Sequence, residues 1–198
     1  MAIVNSYTWI VPTPERTSLD AIVRAASALL EEEGLAGVTM QAVAHRVGVR
    51  APSLYKRVAS RDDLLQLVAE AALVELTLRL EADPEADARR LADTLRGFGT
   101  ERPAAFRLVM SPGAGVPVAR PQFGAAASEP ILLLSSRLAG AERALEAART
   151  LTAWATGFIS MELNGGFNLG GDVDEAWDFG VTTIVAALTA GRDVDDRT

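Results

Sequence analysis

Between positions 34 and 61 the chain carries Arg46, Arg50, Lys56, Arg57 and Arg61 and neither aspartate nor glutamate. The formal net charge of the whole is -7, so this island of +5 sits in a remainder of -12. Guanidinium and ammonium groups on an acid-free stretch are suited to phosphate, and arginine's planar fork also matches the N7/O6 edge of guanine. The plainer alternative is a solvated helix face, which charge alone would favour. The decision therefore rests on the elements that hold these side chains.

Other chemistries are poorly supplied. Without cysteine, and with His45 as the single histidine, thiolate metal sites, disulfides, Cys nucleophiles and Cys/His zinc sites are excluded, and a Ser-His-Asp site is nearly so. No metal or cofactor is expected. Ser53 to Lys56, "SLYK", formally matches a Ser-x-x-Lys nucleophile motif, but no Ser-Asp-Asn or Lys-Thr-Gly accompanies it. His45 reads as a surface or capping side chain.

The positioning elements read as helices. Ser18 precedes Leu19, Ile22, Val23, Ala26, Leu29 and Leu30, an amphipathic spacing that predicts a helix ending at Gly34. Thr39 caps a short second helix closed by Gly48. Arg50, Ala51 and Pro52 open a third, with Leu54 and Val58 inward, and Ser60 caps a fourth running to about Glu81. Pro84 restarts helix to about Gly97, and Thr100 and Pro103 open another ending near Met110. Residues 111–124 read as a loop or a broken helix start. Helix follows over 125–138, with a possible kink at Pro130, then over 141–163 and 174–190. No segment alternates as a strand does, so the fold class is all-α, with about nine helices.

Two helices joined by a tight glycine turn form a helix-turn-helix, whose second member enters the DNA major groove. Turn chemistry, helix lengths and charge segregation together outweigh the solvated-face reading. The stretch from Leu19 to Glu70 resembles the DNA-binding domain of the tetracycline-repressor (TetR) family. The likeness is carried by Gly34, Thr39 and Met40, by "VGV" at the turn, by "SLY", and by "SRDDLL" opening the fourth helix. It implies that Thr39 and Gln41 meet phosphate, that Arg50, Ala51, Pro52 and Ser53 face base edges, and that Tyr55, Lys56, Arg57 and Arg61 hold the DNA backbone. For Arg50, guanine readout and a phosphate contact both stay open.

"FRLVMSPG" and the stretch from Trp154 to Val181 resemble the C-terminal domain of one branch, named for a Trp-His-Gly signature; here Thr156 replaces the histidine before Gly157. The implied organisation is an N-terminal arm (1–17), a helix-turn-helix domain (18–62), an effector-binding and dimerisation domain (63–190) and a polar tail (191–198). The arm either moves freely or packs Trp9 on the body. Phe98, Phe106, Met110, Phe123, Trp154, Phe158, Met161 and Glu162 are candidates for an apolar effector pocket, with Arg107 as a second inward charge; individually the apolar ones also suit ordinary core. Ala144, Ala148, Leu151, Ala155 and Ile159 suit a helix-pairing dimer interface, or the completion of a monomer core.

The implied function is a homodimeric, ligand-responsive transcriptional regulator, most often a repressor that a small hydrophobic effector releases from double-stranded operator DNA. A regulator with a protein effector or none, and remotely an all-α enzyme, are the alternatives. The first residues lack a basic n-region and a cleavage site, and no apolar run reaches membrane-spanning length. A cytoplasmic location without membrane contact is expected.

Overall fold

The computed structural model describes residues 18–195, all helical or irregular, with no strand among them. The expected arm (1–17) lies outside the described residues. Helix α1 (Leu19–Gly37) starts where the Ser18 hydroxyl accepts from Ala21 N–H and buries Ile22, Ala26, Leu29 and Leu30 on one stripe. Gly34 breaks its regularity at φ 71°, the expected stop, and one further turn follows to Gly37.

Thr39 caps α2 (Met40–Val47) by accepting from Ala42 N–H at 3.1 Å. Gly48 ends it in the left-handed region (φ 75°, ψ 34°), while Val49 N–H returns to Ala44 O, a pattern that redirects the chain in two residues. Helix α3 (Ala51–Leu54) is a single turn, shorter than the pattern to Val58 implies; the chain continues in turns, and Leu54 and Val58 still point inward.

Ser60 caps α4 (Arg61–Glu81), and Asp62 and Asp63 complement the helix dipole in its first turn. At 1.5 Å per residue this helix is about 30 Å long. It contacts α1 in the head and, beyond it, α5 (Ala88–Glu101), α6 (Pro103–Met110) and α7 (Pro121–Ala139). Its inward positions include Leu64, Leu65, Val68, Ala72, Leu76 and Leu80, so one helix carries the core from head to body.

A 3-10 turn (Ala141–Arg143) leads into α8 (Ala144–Leu163), and α9 (Val173–Asp195) closes the body. Three boundaries move. Helix α5 starts after Asp87, whose carboxylate accepts from Arg90 N–H, rather than at Pro84, and it extends to Glu101. Helix α7 starts at Pro121, before the expected 125, because proline suits the first helical position. Helix α9 runs through much of the expected tail.

The expected dimer residues require correction. Ala148, Ala155 and Ile159 are 7%, 4% and 0% exposed, spent inside the chain where α8 packs on α5 and α7. Gly99 allows that approach: a Cβ there would lie 2.6 Å from the Ile159 methyl. Ala144 and Leu151 are only partly covered. The outward face of α8 instead carries Leu145, Arg149, Ala153, Gly157 and Met161, four residues apart.

Candidate nucleic-acid interface and ligand cavity

The caps that form the head also decide which side chains reach solvent. Thr39, Gln41, Arg50, Pro52, Tyr55, Lys56 and Arg57 are exposed, and Ala51 and Ser53 are partly so. Tyr55 keeps 54% of its surface open although it adjoins the buried Leu54, a position fit for a hydroxyl that meets phosphate. Arg50 stands at the N-cap of α3 without capping it. His45 is exposed on α2.

Arg46 and Arg61 are used within the protein. Arg46 forms a fork with Glu32 on α1, 2.7 Å at both nitrogens, which cancels its charge locally and lowers the pKa of the carboxyl. Arg61 departs from the expected backbone role. Its Nε donates to Val38 O at 2.7 Å and its Nη2 to Leu35 O at 2.6 Å. The break at Gly34 leaves carbonyls at the end of α1 without helical partners, and Arg61 supplies donors to that corner.

The head is joined to the body by a carboxylate. Glu31 near the end of α1 accepts from Ala104 N–H and Ala105 N–H, both at 3.0 Å, and so caps α6 from another helix. Arg102 bridges Glu31 (3.3 Å) to Glu75 on α4 (2.7 Å). The other end of α6, through Leu108 and Met110, walls a cavity of about 300 Å³. Its remaining walls come from α4 (Leu73, Leu76), α5 (Leu95), the segment before α7, and α7 (Ala127, Ile131), with Thr152 of α8.

Among the described residues lining this cavity none is aromatic, and Arg120 is the one with a charge. Glu70 on α4, 4% exposed, accepts from Arg120 Nε at 2.7 Å, Nη2 at 2.8 Å and the backbone N–H at 3.2 Å. The guanidinium holds the Glu70 carboxyl below the usual carboxylate range although burial pushes it up. Gln66 Nε2 donates to Val118 O at 3.0 Å, so the segment leading into α7 is tied twice to α4.

Of the residues expected to form the pocket, Met110 lines this cavity. Phe98 and Phe106 are fully buried core. Phe123 lies under the Arg120 guanidinium at 5.3 Å, and Met161 is half exposed on the outer face of α8. Trp154 and Phe158 belong to a separate cluster with Trp177 and Phe167, where Trp154 and Trp177 stack at 4.8 Å. Glu162 is closed on Arg96 (2.5 Å), which also meets Asp174 and lies over Phe158 and Trp177. Arg107 turns to the end of α8 at 3.4–3.5 Å, away from the cavity. Sequence reasoning missed Glu70 and Arg120; the available signal was an acid flanked on both sides by leucine, valine and alanine (67–74), followed by an arginine just before a helix-starting proline.

Two family models match the two units just described. "Bacterial regulatory proteins, tetR family" covers residues 22–68, and "Tetracyclin repressor-like, C-terminal domain" covers residues 88–184. The chain belongs to the TetR family. It is a DNA-binding transcriptional regulator of that family. It is 28% identical, over 92% of its length and 85% of the relative's, to an uncharacterized HTH-type transcriptional regulator of Mycobacterium tuberculosis. Its likeness to the class A tetracycline repressor of Escherichia coli, 41% identity, spans 28% of this chain and 26% of that protein. Among solved structures, a TetR variant of Acinetobacter baumannii in complex with minocycline shares the fold (TM-score 0.64, 24% identity, 88% of this chain and 98% of that one). Apo ActR from Streptomyces coelicolor does so too (TM-score 0.63, 22% identity, 89% and 96%). No described helix of this TetR-family chain is long and apolar enough to cross a membrane.

Proposed function

We propose that this TetR-family chain is a cytoplasmic, homodimeric repressor that a small molecule in the α4–α6–α7 cavity releases from operator DNA. The observation that carries this reading is the path from cavity to head. Helix α6 lines the cavity at one end and is capped by Glu31 of α1 at the other, while α4 lines it and runs into the head through Arg61. A ligand that moves either helix changes the pose of the head, and the operator-binding pose loses population in proportion to the ligand's differential affinity. A tenfold release needs about 1.4 kcal/mol of that difference.

On the DNA side, Arg50, Ala51, Pro52 and Ser53 face bases, and Thr39, Gln41, Tyr55, Lys56 and Arg57 hold phosphate. Arg61 holds the corner that carries them. The second copy pairs through the outward faces of α8 and α9, where Leu145, Met161 and Phe179 are 46%, 50% and 74% exposed. Two helices from each subunit make a four-helix interface. Such a dimer presents two heads to half-sites about 34 Å apart or a multiple of it.

Titration against DNA flanking the chain's own gene, at several salt concentrations, tests the reading. Tight binding to one site with a steep salt dependence supports it. Equal affinity for random DNA, or indifference to salt, sinks it.

A further inference from the structure

From the chemistry of the cavity wall we infer that the effector is a small aliphatic carboxylic acid, seated with its chain in the cavity and its carboxylate on Arg120. The inference rests on the reading of this cavity as the ligand site and names the class of molecule it takes. Three observations support it. The cavity offers leucine, isoleucine, valine, alanine and methionine surface and, among the described residues, no ring on which a planar ligand would stack. Its volume of about 300 Å³ lies at the lower limit of ligand pockets, which suits a short chain. Its single charge, Arg120, is at the exposed rim, so a charged head stays near water while the chain leaves it.

The hydrogen-bond geometry selects the head group. A guanidinium has five N–H donors. Glu70 takes the edge formed by Nε and Nη2, and no described residue takes Nη1. The Nη1–Nη2 edge is therefore open to a second carboxylate, in the bidentate geometry that arginine favours. Glu70 acts as a positioning residue: it fixes the plane of the guanidinium and touches no ligand. A cationic head has no comparable seat. To reach Glu70 it must displace Arg120 from a carboxylate that is 4% exposed. An alcohol gains the same chain burial and lacks the charge-assisted pair.

Calorimetric titration of the full chain with octanoate, octan-1-ol and octylamine, three probes with one chain, tests this. Octanoate is expected to bind at least tenfold more tightly than either of the others. Arg120→Gln should remove that advantage, so that octanoate binds no more tightly than octanol. Ala127→Leu, or Thr152→Leu if the first variant does not fold by circular dichroism, should weaken octanoate and octanol together by tenfold or more. Octanol or octylamine matching octanoate, or an octanoate advantage that survives Arg120→Gln, overturns the head-group assignment while the cavity reading stands. Binding of all three probes that ignores both narrowing variants, or no binding at all, overturns the cavity reading as well.

Discussion

Arginine does opposite work in the two regions of this molecule. In the body, Arg79, Arg89, Arg96, Arg102 and Arg120 are each closed on carboxylates of other turns or other helices. In the head, Arg50 and Lys56 stand exposed within a stretch, positions 34–61, that has no aspartate or glutamate of its own. The difference shows that net charge is a poor guide to binding. What counts is how much of each charge the fold has already used and which edge of the guanidinium it leaves open.

The largest test of the contrast removes a body anchor. Trp177 is fully buried, stacks on Trp154 and donates to Asp93 at 2.7 Å. Trp177→Ala should cost about 3–5 kcal/mol of stability, read as a lower urea midpoint, with operator affinity of the folded fraction retained. Arg61, like Arg46, is a head cation already bonded within the fold. Arg61→Ala should cost about 1.5–3 kcal/mol, the range for hydrogen bonds from a charged donor, and leave the salt dependence of DNA binding unchanged.

Outward cations should respond in the opposite sense. Arg50→Ala is expected to cost about 1–3 kcal/mol on the operator and to relax preference at one base, as measured on single-base operator variants. Lys56→Ala should weaken all sequences alike and reduce the slope of log K against log salt by about 0.9. An Arg50 variant that weakens random DNA as much as the operator would convert its role to phosphate binding.

The smallest effect is in pH. The folded pKa of Glu70 is lowered, chiefly by its hydrogen bonds from Arg120. Its contribution to stability is therefore complete above the unfolded carboxylate value of about 4.3 and is lost as pH falls through the lower folded value. Urea midpoints between pH 6 and pH 3 should fall more steeply in wild type than in Glu70→Gln.

The head was legible because its signals are local. Ser18, Thr39 and Ser60 each cap the helix they precede, and Gly48 adopts the conformation its place in the turn demands. The cavity was not, because no short-range pattern separates a leucine that lines a void from one that fills a core. Aromatic side chains were expected there, yet Trp154, Phe158 and Trp177 gain more by stacking on one another under Arg96. The dimer face failed for a related reason. Alanines occur on both sides of α8, with Ala148 and Ala155 inward and Ala153 outward, so their number says nothing of which side stays open. Fold class and helix order survived because they depend on periodicity, which burial imposes along the whole chain.

The division between head and body falls inside α4, with Arg61 holding the head and Glu70, nine residues on, holding the wall of the body. The two parts are thus not modules on a tether. A chimera that gives this body a foreign head, to direct it to another operator, cannot be joined at a flexible seam, because none is there. It must splice two helices in register, so that an added or lost residue turns every later side chain by about 100°. It must also import an acid at the position of Glu31, or the first turn of α6 loses its cap. Re-addressing such a regulator is a problem of helical phase before it is one of base recognition.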